Sequence, residues 1–166
     1  MDLWQLALAL SILIVAGTCD LVGQCAVLFL NRVPFRRFLW SLLRGLLVFV
    51  AAATLWALGL WILAWLLAVP ISLARCFWWV SLAHTPLFLG WLVLLPHFGS
   101  YLFHALRALV FFNLVVAVGV ESQAPLLPVV LCCLPGWLLH FSLTHLKLLP
   151  LQGLQNQLWR VLGMSR

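Results

Sequence analysis

The chain has 166 residues, 66% hydrophobic and 7% charged, with a mean hydropathy of +1.19. A soluble domain carries about a quarter charged residues, so this composition excludes a water-facing globular surface and points to an all-α integral membrane protein. The net charge of +6 comes from nine Lys/Arg against three acids; the bases are spread among loops rather than gathered in a patch, which argues against nucleic acid as a partner and for orientation in a lipid bilayer.

At roughly 20 apolar residues per span, the chain divides into five spans within one domain, residues 1–146. The first is Leu3–Leu30, expected to be a retained span because no basic n-region or cleavage site marks a signal peptide. "NRVPFRR" (Asn31–Arg37) ends it. The second, Phe38–Val69, is long enough to tilt or to begin with an interfacial turn. "PISLAR" leads to a third span at Cys76–Leu95. There Pro86 lacks the amide that would bond the carbonyl of Leu82, so a bend is expected near His84, with the imidazole or the Thr85 hydroxyl as donor to the freed carbonyl. "PHFGS" turns the chain into a fourth span, Tyr101–Val120, and "ESQAPLLP" into a fifth, 127–145. In the tail, 147–166, Leu151, Leu154, Leu158, Val161 and Leu162 recur at helical spacing among polar residues. This predicts an amphipathic helix lying in the membrane interface.

Charge placement orients the spans. If they alternate, Arg32, Arg36, Arg37, Arg44, Arg107, Lys147, Arg160 and Arg166 share one side, and only Arg75 joins Asp2 and Glu121 on the other. The positive-inside rule then puts the N-terminus outside and the C-terminus on the cytoplasmic or equivalent side.

Asp20 is the one acid within the first span. Asp20 and Gln24 are four apart and share a helix face, and Arg44 stands six residues inside the second span from the same side. The three are expected to meet as a polar cluster. The preferred role is a clamp between spans, because an ion or proton pathway needs such groups at successive depths.

Five histidines follow: His84, His97, His104, His140 and His145. Alternation puts His104 and His145 at similar depth, as two axial haem ligands would require, and a single histidine such as His84 or His140 can ligate a chlorophyll magnesium. No haem-attachment motif occurs, and the leading expectation has no cofactor. The five cysteines lack a C-x-x-C spacing and read as buried small side chains, with no metal site. Paired carboxylates, H-E-x-x-H and Gly-rich phosphate loops are absent, so nothing supports an enzyme. Trp56, Trp61 and Trp65 run along the second span as packing or lipid contacts. Trp78, Trp79 and Trp91, beside the bend at Pro86, form the candidate partner surface.

"LVGQCAVLFLNRV", the aromatic second span and "FWWVSLAHTPLFLGWLVLLPHFGSYLFHALRALVFFNLVVAVGV" together resemble the Yip family of Ypt/Rab-interacting five-span membrane proteins. The small Yip-domain members of cyanobacteria and plastids are the most similar. The pattern lies in Ala83–His84–Thr85–Pro86, the Pro96–Gly99 turn and Gly119, within residues 3–145. "DLW" at Asp2–Trp4 echoes the family's acid-Leu-aromatic motif but lacks its Gly-Pro, and the family's inside N-terminus is opposite to the charge-based orientation. The resemblance implies a non-enzymatic accessory, scaffold, assembly or trafficking factor for other integral membrane proteins, in a plasma or thylakoid membrane. A small transporter or channel built on Asp20, Gln24 and Arg44 is the second expectation. A pigment- or haem-binding subunit is the third.

Overall fold

Backbone groups in lipid have no water to bond, so an apolar chain without a closed sheet must satisfy them within helices. Among its described residues, the computed structural model is 89% helix, without strands. It describes residues 2–22, 25, 34–94 and 98–145. Gln24, His97 and the proposed interfacial tail at 147–166 lie outside them, as does most of the first span beyond Val22.

Helix α1 covers Leu3–Asp20. Its hydroxyls turn back onto their own helix, Ser11 Oγ donating to the Ala7 carbonyl at 2.8 Å and Thr18 Oγ1 to Ile14 at 2.7 Å. This satisfies them without a neighbour. Helix α2, Phe35–Leu66, has 32 residues, about 48 Å of helix against a hydrocarbon layer of about 30 Å. It closes on Ala68, at φ 53°, with the Val69 N–H reaching back to the Ala64 carbonyl at 2.8 Å. Pro70 then prevents its continuation.

The third segment departs from a plain span. Helix α3, Leu73–Ala83, is capped by Ser72, whose Oγ accepts from the Arg75 N–H at 3.4 Å. It ends three residues before Pro86, and a 3-10 helix takes over from Thr85 to Leu94. The expected bend is thus a change of helix type. Helix α4 runs Gly99–Ser122 and ends on left-handed Gln123 (φ 50°), whose N–H bonds the Gly119 carbonyl at 3.0 Å. Helix α5 runs Leu126–His145 with Pro135 inside it. Three stretches are long and apolar enough to cross a membrane among the described residues: α1, α2 and Tyr101–Ser122 of α4.

The third segment is the hub. Helix α3 packs on α1, α2 and α4, and the 3-10 helix packs on α1 and α4. Helix α2 makes its most extensive contact with α5, which also touches α4. Helices α1 and α4 have no close backbone approach among the described residues. Helices α1–α2–α5–α4 therefore follow one another with a gap between α1 and α4, and the third segment, which contacts both, lines that gap. Gly90 of the 3-10 helix sits beneath that gap, where an added Cβ would lie 2.7 Å from the Cys19 carbonyl oxygen. A larger residue would push the hub off α1 at this point.

Candidate functional site

The gap between α1 and α4 is closed by side chains. Arg107 Nη2 of α4 donates to Asp20 Oδ2 of α1 at 2.7 Å, with the two side chains only 6% and 12% exposed. The charged hydrogen bond thus sits in the protein interior, where each ion compensates the other's lost hydration. The guanidinium also lies 4.9 Å over the Phe103 ring. Through its carbonyl, Arg107 accepts from Trp137 Nε1 of α5 at 3.3 Å. One residue thereby fastens α1, α4 and α5.

The sequence paired Asp20 with Arg44, and the structure corrects this. Arg44 is exposed on α2, and Arg107 takes its place. Arg107 lies eight residues beyond Gly99 in α4, about 12 Å from that helix end. Its depth, and the apolar run "RALVFF" it begins, were the available signal. Alternation of the spans places it among the bases of the charged side.

A second polar level adjoins the first. Where α3 ends, the His84 N–H bonds the Ser81 carbonyl at 3.2 Å and no longer serves Val80. His84 Nδ1 caps the Val80 carbonyl instead, at 2.6 Å. Since a carbonyl can only accept, Nδ1 carries the proton and, in the neutral ring, Nε2 keeps its lone pair. Nε2 is buried and finds no hydrogen-bond partner among the described residues. The imidazole does act as a donor near the bend, as expected, but to Val80.

His140 of α5 meets His84 edge to face, with ring centroids 5.3 Å apart, and both are buried. Phe49 and Trp56 of α2 pack against both rings. Trp56 is itself tied to α5, its Nε1 donating to the Cys133 carbonyl at 3.1 Å. Gly136 lets the indole in, since a Cβ there would fall on the Trp56 ring. A cavity of about 10 Å³ lies among His84, His140, Arg107, Trp137 and Trp56, which is about the space of one water.

The paired histidines are thus His84 and His140, whereas the sequence had set His104 against His145. His104 faces outward beside Phe103, and the side chain of His145 lies outside the described residues. Rings in edge-to-face contact leave no gap for a porphyrin or chlorin plane between them, and the described residues contain no group of three or more metal-ligating side chains. All five cysteines are free, with Cys76, Cys132 and Cys133 buried.

The three tryptophans of the expected partner surface differ. Trp91 is exposed, Trp78 is half-buried, and Trp79 packs against the core with its Nε1 unpartnered among the described residues. At the opposite end of the bundle, Arg75 and Glu121 form an ion pair at 3.4 Å. Comparison with protein-family models, curated proteins and solved structures returned no match to this chain.

Proposed function

We propose that this protein is a non-enzymatic membrane scaffold, an accessory or assembly factor for other integral membrane proteins, with five spans. The observation that carries the reading is the way its buried polar groups are used. Asp20, Arg107, Trp137, Trp56 and His84 each bond another helix or a helix end, which makes a stiff bundle. A stiff bundle is what a docking platform needs, because little ordering is then lost on association. Supporting five spans, the third segment is about 36 Å long from Leu73 to Leu94, counting 1.5 Å per α residue and 2.0 Å per 3-10 residue. The Arg75–Glu121 pair joins the two helix ends expected on one side. The Yip-like pattern points the same way.

The partner surface we assign is the outward side of the third segment around Trp91 and Trp78. Photo-crosslinkers at Trp78 and Trp91, compared with Leu8 on α1, test it in the native membrane. Crosslinks to another membrane protein from the two tryptophan positions are expected. Crosslinks mainly from Leu8 would refute the surface.

A second reading, proton transfer, is favoured by one observation: Arg107, His84 and His140 line one cavity, adding a second polar level to the Asp20 pair. A proton flux in vesicles that Asp20→Asn abolishes, with folding intact, would put this reading first.

A further inference from the structure

Among the described residues, two arginines are left without a carboxylate partner. Of the three acidic residues, Asp20 is engaged by Arg107 inside the bundle. Glu121 pairs with Arg75 at the far end of α4, and Asp2 caps the far end of α1. Near the start of α2, Arg36 and Arg44 are exposed, and no acidic side chain of the chain is there to meet them.

Their spacing is specific. Arg36, Trp40 and Arg44 follow one another at steps of four, so they stand within about 80° on one face of the helix. Trp40 is 66% exposed, and exposed Leu43 and Leu47 continue the same face toward the apolar part of α2. That face ends in Trp61 and Trp65, both exposed. From Trp40 to Trp61 is about 32 Å of helix, close to the hydrocarbon thickness of about 30 Å. The two tryptophans thus stand where interfacial aromatic belts stand. An arginine lies about 6 Å along the axis on either side of Trp40, and both guanidinium groups have the reach to converge beside it.

We propose that Arg36, Trp40 and Arg44 form a binding site for an anionic phospholipid. The phosphate sits between the two guanidinium forks, which suit it geometrically. The indole rests at the level of the glycerol esters, and an acyl chain lies along Leu43 and Leu47. An acidic protein segment would satisfy the arginines but not the apolar face that continues beneath them; a lipid satisfies both.

The test uses the full chain in neutral detergent with short-chain phosphatidylglycerol or phosphatidylcholine, read by native mass spectrometry and by melting temperature. Phosphatidylglycerol should bind more tightly. In Arg36→Gln/Arg44→Gln its affinity should fall roughly thirty-fold, as expected for two basic contacts at a membrane surface. Arg36→Lys/Arg44→Lys, which keeps the charge, should retain a preference for phosphatidylglycerol, and this holds the test open if the Gln pair melts early. Equal binding of the two lipids by the parent chain, or an undiminished preference in the Gln pair, would overturn the site. So would a poly-glutamate peptide that displaces phosphatidylglycerol at equal concentration, which would assign the arginines to an acidic protein.

Discussion

Replacing Asp20 and Arg107, singly and together, tests the clamp. At 2.7 Å and an effective dielectric constant of about 20, the gross attraction is about 6 kcal/mol, most of which desolvation of the two ions offsets. Removing one partner is different, because it leaves the other charge buried without compensation, at about 3–5 kcal/mol in soluble proteins. In a bilayer the unfolded helices also find polar partners, which lowers such costs, so about 2–4 kcal/mol is expected for Asp20→Leu and for Arg107→Leu. Arg107→Leu also forfeits the contact with the Phe103 ring. The double variant Asp20→Leu/Arg107→Leu buries no charge and should cost less than the sum by about 2 kcal/mol or more. Asp20→Asn keeps a hydrogen-bond acceptor and should cost less than Asp20→Leu. Arg44→Leu, at an exposed position, should stay within about 0.5 kcal/mol. Reversible unfolding in bicelles, by denaturing-detergent titration or steric trapping, measures all five. Additive single costs in the double variant, or an Arg44→Leu loss as large as that of Arg107→Leu, would refute the pairing.

The α2–α5 contact offers a second measurement by the same titration. Trp56→Phe leaves the Cys133 carbonyl without its indole donor and should cost about 1–2 kcal/mol; Gly136→Ala drives a methyl into the Trp56 ring and should cost about 1–3 kcal/mol. A neutral Gly136→Ala would mean the two helices are not in this register. For topology, single cysteines at positions 36 and 121 in a cysteine-free background should label from opposite sides of the membrane, and labelling from the same side would remove the alternating five-span arrangement.

Helix was legible in the residues because lipid leaves an open chain no other way to pair its backbone, and the apolar runs that become α1, α2 and α4 are visible without any contact information. The boundaries of α2, α4 and α5 moved by a few residues. The break at Pro86 was also legible, since a missing amide is a local property. What followed the break was not: a ten-residue 3-10 helix whose Gly90 lies against the backbone of α1, about 70 positions away in the chain.

Asp20 itself announced a partner, because an acid within an apolar run must have one; which arginine answers it was decided by tertiary structure. Arg44 and Arg107 are both bases a few turns inside a helix, and sequence distance favours the first. Packing chooses the second, because the third segment contacts both α1 and α4 and holds their backbones apart, leaving a gap that only long side chains bridge. The histidines repeat the lesson. Depth along a span is counted from sequence, and it set His104 beside His145; the direction a side chain faces depends on which helices are neighbours. The helix-type change at His84 and the entry of Trp56 at Gly136 turn His84 and His140 toward each other, while His104 is left on the outside. Composition and periodicity determined that this chain forms helices long and apolar enough to cross a membrane, because transfer from water acts on each residue separately. The clamp and the buried histidine pair arose only when those helices packed, because they depend on relative rotation and neighbour order, which no single segment encodes.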